Sequence, residues 1–187
     1  MTPVACAYAV RPEVTDANLR EVSNLLCQDH VFYAVDPSFR SYVGAHRLFR
    51  SFEDGSQRLY FSYAGDGRFL GCAWGGTESE FPRQFYGHFI FHRHVDAFSC
   101  VDRMIGVCDG DYRADGVVLA TLCSVVPDYN RAARILNRRL GFKDMGVVDR
   151  FEVRGADDRL YRCRKFVLDM EEWRNGQQRR LEQQEQD

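Results

Sequence analysis

PDYNRAARILNRRLGF, Pro127 to Phe142, is the stretch on which the reading of this chain turns. Pro127 leads in, Asp128 or Asn130 can cap a first helical turn, and Gly141 stands where helices end on a left-handed residue. Tyr129, Ala132, Ala133, Leu136 and Leu140 recur at three and four residues, which predicts one face buried against a sheet. Asn130 and Asn137 lie seven apart, so at ~100° per residue they return to nearly the same side, with Arg134 between them. That side is polar without being simply charged, which packing alone does not require.

Outward from this helix, the upstream run GVVLATLC reads as a strand. The downstream runs KDMGVVDRFEVR and RLYRCRKFVLD, joined by Gly155 to Asp158, read as a closing hairpin. Near the start, VACAYAV suits a first strand, and TDANLREVSNLLCQD sets Leu19, Val22, Leu25 and Leu26 at helical spacing behind a Thr15 or Asp16 cap. His30 to Ser56 mixes aromatics with Pro37 and Gly44 and predicts one or two short helices. RLYFSYA and RFLGCAWGG flank a Gly65–Gly67 turn as a hairpin, with Gly71, Gly75 and Gly76 allowing a bulge or strand end. Gln84 to Val95, QFYGHFIFHRHV, is a long strand candidate, and DAFSCVDRMIGVC after it has helical periodicity. From Met170 the chain is almost wholly polar, which predicts a frayed helix or disordered tail over 170–187 after a single domain spanning 1–169. The element order implies an α/β (α+β) fold: a central mixed, mostly antiparallel sheet of about six to seven strands with helices on both faces.

Composition narrows the function. The 187 residues, 45% apolar and 13% aromatic, suit one compact core. With 25 basic and 27 acidic side chains the net charge is -2, so no bulk attraction to nucleic acid or an anionic membrane is expected. No apolar run approaches the roughly 18 residues of a membrane span. Seven scattered cysteines without a C-x-x-C pair read as reduced thiols in a cytoplasmic protein.

The pattern N-x-x-A-x-x-L-x-x-x-L-G-F on Asn130, Ala133, Leu136, Leu140, Gly141 and Phe142 resembles the last core helix of the GCN5-related N-acetyltransferases. The element order resembles that family's as well, over roughly residues 4–169, with sequence-level likeness confined to Val117–Gly146. The resemblance implies acetyl transfer from acetyl-coenzyme A to a small-molecule or peptide amine, in a cleft where the fourth and fifth strands splay apart. Asn130 keeps the family's pattern for a cofactor contact, and Arg93, Arg134 and Asn137 are the further candidates for binding it. Two departures stand out. The family's glycine-bearing turn, which closes backbone N–H groups on a pyrophosphate, corresponds to HRHVDAFSCVDRM, which has no glycine and places Asp96 at the helix start. Where the family often has a proton-donating tyrosine, seven residues after the helix asparagine, this chain has Asn137. An amide cannot deliver a proton, which leaves Tyr129, a thiol or water for that step.

His88, His92 and His94 fall on alternate positions of the strand candidate, with His92 and His94 ~6.7 Å apart along it. Such a face can hold a metal if a further ligand arrives, but no carboxylate pairs with it and no metal site is expected. As a general base for an amine, His88 or His92 is the better reading. Arg131, Arg134, Arg138 and Arg139 read first as a solvated or acid-paired surface. The alternative to an enzyme is a protein that keeps the fold without catalysis, a binding or assembly component like some phage-encoded proteins resembling the family. Whether the chain forms an oligomer is not legible from these residues.

Overall fold

The computed structural model describes residues 2–32, 42–155 and 157–184. Seven strands form one sheet: β1 (Tyr8–Val10), β2 (Arg58–Tyr63), β3 (Phe69–Glu78), β4 (Phe81–Phe91), β5 (Thr121–Pro127), β6 (Lys143–Arg154) and β7 (Leu160–Asp169). They lie in the order β1-β2-β3-β4-β5-β7-β6, antiparallel throughout except for the parallel pair β4–β5. This is the mixed, mostly antiparallel sheet expected. The hairpin β2–β3 turns at Gly67, whose φ of +81° suits a residue without a Cβ. Gly71 adjoins the bulge anticipated there, where the register shifts between Ser62↔Gly71 and Tyr63↔Phe69, whereas Gly75 marks neither a strand end nor a bulge. They lie inside β3, where an added Cβ would stand 2.3 Å from the Ile90 carbonyl oxygen and 2.0 Å from that of Tyr86, so β3 approaches β4 too closely for a side chain.

Helices cover both faces. On one side α1 (Asp16–Leu26) and α3 (Tyr42–Glu53) set Val22, Leu25, Leu48 and Phe52 against Leu59, Phe61, Trp74 and Ile90. Thr15 caps α1 by accepting the Asn18 N–H. The short helix α2 (Asp29–Phe32) precedes residues 33–41, so the irregular stretch expected from His30 to Ser56 carries helix at both ends, with its middle outside the described residues. On the other face lie α4 (Ala97–Ala114), which buries Val101, Met104 and Ile105, and α5 (Arg131–Arg139), whose C-cap Leu140 packs in the same core with Phe142 and Phe166.

Two differences from expectation have physical causes. β4 stops at Phe91, because the chain must leave the sheet to reach α4, and Val95 pairs instead with Val4 in an isolated parallel bridge. His92 therefore follows the strand and His94 sits in a turn with φ +65°, so the three histidines share no strand face. The residues from Met170 form a docked helix, α6 (Met170–Gln184), rather than a frayed or disordered tail. Met170 is fully buried, the Trp173 indole donates to Asp102, and Arg174 forks onto Asp109 at 2.7 and 3.0 Å while also donating to the Leu119 carbonyl. Polar composition hid this helix because its partners are carboxylates on α4 rather than an apolar stripe. All seven cysteines are free thiols and six are buried. Among the described residues no helix is long and apolar enough to cross a membrane.

Candidate active site

The parallel contact between β4 and β5 covers only Gln84↔Thr121, Phe85↔Leu122 and Tyr86↔Cys123. Beyond it β4 stays bonded to β3 and β5 to β7, while the two strands part from each other. Backbone alternation fixes what faces the gap. The His92 N–H bonds to Leu70 of β3, whereas the Arg83 carbonyl accepts the Ala120 N–H on the β5 side, so odd-numbered β4 residues turn their backbone polar groups toward β5. Past the last pair, the N–H and C=O of Phe89 therefore face the opening. A slot of about 120 Å³ results, with Gly87, His88 and Phe89 on one wall, Ser124 and Val125 on the other, and Asn130 at its rim.

Different groups lie beside this slot on the two faces of the sheet. His88, exposed, stacks on the buried Trp74 ring at 5.5 Å on the face covered by α1 and α3. From the opposite face Asn137 of α5, fully buried, donates through Nδ2 to the Ser124 hydroxyl at 3.4 Å. The Asn137 Oδ1 is buried without a hydrogen-bond partner, a condition that costs about 1–3 kcal/mol. Beneath the slot an apolar cavity of about 50 Å³ extends between Gly87, Ser124, Met104 and Cys108. Burial pushes the Cys108 thiol up to about 12 and also raises that of Cys123, so neither is an activated nucleophile.

A larger groove of about 610 Å³ continues from the slot between the start of α4 and the outer side of α5. Phe91, His92, Asp96, Phe98, Asn130 and Arg139 are among its walls. Asn130 caps α5 by accepting the Ala133 N–H at 3.1 Å. The His92 Nδ1 accepts from the Gln28 amide at 2.9 Å. Burial lowers the His92 pKa, and His30 and Arg68 nearby act in the same direction against Glu21. His30 donates to the Phe91 carbonyl at 2.9 Å from the same wall.

The start of α4 departs from a phosphate cradle. Asp96 Oδ1 accepts the N–H groups of Phe98 and Ser99 at 3.2 and 3.4 Å, as its identity in the sequence implied. The Asp96 N–H bonds to Val4, that of Ala97 to Val95, and that of Cys100 to the Asp96 carbonyl. Every amide of this first turn is engaged and a carboxylate stands among them, so the turn does not fit a diphosphate. The slot does fit an extended amide-bearing arm, because Phe89 offers one donor and one acceptor along an open strand edge.

The structure brings His88, His92 and Asn130 to the slot and groove and sets four other predicted residues elsewhere. Arg93 is exposed in a separate depression with Glu21 and Arg68. Arg134 pairs with Asp128 at 3.3 Å, and the Tyr129 ring packs edge-on against Tyr161 at 4.9 Å. Asn137 points into the core, not along a shared stripe with Asn130, because Asn130 precedes the helix as its cap and does not follow the helical wheel. Among the described residues no three histidines, cysteines or carboxylates converge as a metal site. Sequence reasoning passed over Ser124 and Arg139. Ser124 lies two residues from Leu122 on one strand, so the alternation placed it on the α5 face, and Arg139 was grouped with the surface arginines.

No family model matches the chain, and no curated protein matches it in sequence. Solved structures do. Spermidine N-acetyltransferase from Vibrio cholerae, in complex with coenzyme A and spermine, superposes with a TM-score of 0.67 at 15% identity, covering 88% of this chain and 96% of that one. An N-acetyltransferase from Staphylococcus aureus Mu50 does so with a TM-score of 0.58 at 15% identity, covering 86% and 96%. The fold is that of the GCN5-related N-acetyltransferases.

Proposed function

We propose that this protein transfers an acyl group from a pantetheine thioester, acetyl-coenzyme A in the simplest case, to a small-molecule amine. The observation that carries the reading is the parting of β4 and β5 after three residue pairs, which opens a strand edge and sets His88 on it. The donor arm lies along the slot as a short extra strand on Phe89, with Asn130 and His92 lining its path. A neutral amine attacks the thioester carbonyl from the Trp74 face, and His88 takes the proton it sheds, directly or through a water. Polyamines are the acceptor class to try first, since the Vibrio cholerae neighbour is solved with spermine. The free thiols suit a reducing compartment such as the cytoplasm.

Thermal unfolding with and without acetyl-coenzyme A tests the donor. A ligand at 100 times its dissociation constant adds about 2.7 kcal/mol of stability. No shift at millimolar concentration, with no thiol released in the presence of spermidine, would sink the reading. One observation favours a second reading. The closed first turn of α4 suits a protein that has kept the fold as a binding or assembly component, of the kind some phages encode, and turns over no thioester. The same two measurements separate them.

A further inference from the structure

We infer that Ser124, held in place by Asn137, is the hydrogen-bond donor that stabilises the negative charge developing on the thioester as the amine attacks. The inference rests on the acyl-transfer reading and supplies what that reading lacks, a donor for the charge that forms on the thioester carbonyl oxygen before the thiolate leaves.

Ser124 is the first β5 residue beyond the last pair with β4, Tyr86↔Cys123, so it stands where the strands begin to part. It is 7% exposed and lines both the slot and the apolar cavity beneath it, so the residue stands between them. Asn137 Nδ2 donates to that hydroxyl oxygen, so the hydroxyl hydrogen is not used by Asn137 and is left to donate to a group in the slot. The fold alone does not explain the pair. Asn137 is fully buried, its Oδ1 has no partner, and an apolar side chain of similar volume would fill the position without that orphan. A polar group kept at a cost to the core, bonded to a hydroxyl at the mouth of the slot, is a positioning residue.

The chemistry balances without a proton from Ser124. The amine nitrogen bonds to the carbonyl carbon, the carbon–sulfur bond breaks with its electron pair on sulfur, and His88 receives the amine proton. A thiol has a pKa of about 8.5, so its thiolate leaves near neutral pH with hydrogen-bond stabilisation and needs no full proton transfer. This removes the need for a tyrosine at the position that Asn137 occupies.

The test uses the full chain with acetyl-coenzyme A labelled with carbon-13 at the thioester carbonyl, and spermidine as acceptor. In the wild type the bound carbonyl stretch falls below its value in water; in Ser124→Ala and Asn137→Leu it returns toward that value. Turnover falls on the order of a hundredfold in Ser124→Ala and about tenfold in Asn137→Leu with KM within twofold, and Ser124→Thr retains most of it. Asn137→Leu unfolds at or above the wild-type temperature, which a merely structural asparagine would not allow. A sharply lowered Tm in Asn137→Leu, or a bound carbonyl stretch identical in all variants, overturns the role of the pair while leaving acyl transfer intact. Wild-type protein that neither gains stability from the donor nor releases thiol overturns acyl transfer itself, and this role with it.

Discussion

The two helices that border the groove begin in opposite electrical states although each is capped by a side chain. α4 starts on the carboxylate of Asp96, which takes two backbone N–H groups; α5 starts on the amide of Asn130, which takes one. Their bodies differ as well. α4 runs 18 residues and buries seven of them, whereas α5 runs nine and buries only Asn137. α4 is therefore an anchored beam with a closed, negative end, and α5 a shallower element whose neutral cap faces the groove. The fold is legible on α5, but the departure from a phosphate cradle lies at the start of α4.

The largest effect expected from breaking this contrast lies at the far end of the beam. Asp109 is 10% exposed in its side chain and holds Arg174 of α6 and Arg113 of α4. Asp109→Ala leaves both guanidinium groups without it and should lower unfolding free energy by about 2–3 kcal/mol in urea titrations, with faster hydrogen exchange throughout α6. The pair also sets an acid limit. Burial alone would raise the Asp109 carboxyl, but the bonds and charge of Arg174 and Arg113 outweigh it and hold the group below its ordinary value. Its stabilisation is thus complete above the unfolded pKa of about 4 and is lost as pH falls through the folded value. Asp109→Asn should flatten that part of the stability–pH curve.

The next effect is on affinity. Asp96→Gly removes the carboxylate and returns the Phe98 and Ser99 amides to solvent, so acetyl-coenzyme A should bind about tenfold more tightly, roughly 1.4 kcal/mol. A glycine cap costs only a few tenths of a kcal/mol of stability. Calorimetric titration checks this. Unchanged affinity would mean that the start of α4 plays no part in donor choice.

How much of this was readable in advance varied with the range of the physics. Local signals held: Thr15, Asp96 and Asn130 cap helices, and Gly141 ends α5 with φ +92°. So did the strand order that implied the fold. What failed depended on contacts distant in sequence. Asn137 was assigned to a wet stripe because a helical wheel knows residue type but not that Ser124 waits in the core. The α6 residues looked unpartnered because Asp102 and Asp109 lie about 70 positions upstream. His92 and His94 kept the alternation of β4 after the strand itself had ended, and nothing in their identities marks that end. The parting of β4 from β5 is a property of two strands together and leaves no trace in either.

At the neutral cap the expected loss is smaller. Asn130→Ala should cost about 1 kcal/mol, read as a lower midpoint in thermal unfolding, because the Ala133 N–H loses its acceptor. Asn130→Asp should keep that stability while bringing a second carboxylate to the groove. Weaker acetyl-coenzyme A binding in the Asp variant would show that the groove favours the absence of negative charge at both helix starts, which is the sharper form of the contrast.

The smallest stability change is expected at Arg139, whose guanidinium lies 5.3 Å from the Phe98 ring and so spans the groove from the last turn of α5 to the first turn of α4. An exposed contact of this kind contributes about 0.5–1 kcal/mol, and Arg139→Ala should shift stability by no more than that. Among the described residues lining the groove, Arg139 is the one arginine or lysine, the charges that persist at all neutral pH values. With the α4 amides engaged, any phosphate that enters the groove meets its favourable charge there and its unfavourable one at Asp96. Arg139→Ala should therefore weaken acetyl-coenzyme A binding severalfold more than it weakens the fold, with the difference shrinking as salt is raised from 50 to 500 mM, conditions under which the Debye length falls below about 10 Å. Arg139→Lys keeps the charge and should retain most of the affinity. Equal losses in binding and stability at every salt concentration would reduce Arg139 to a clasp between the two helices and leave Asp96 as the only charge by which the groove discriminates.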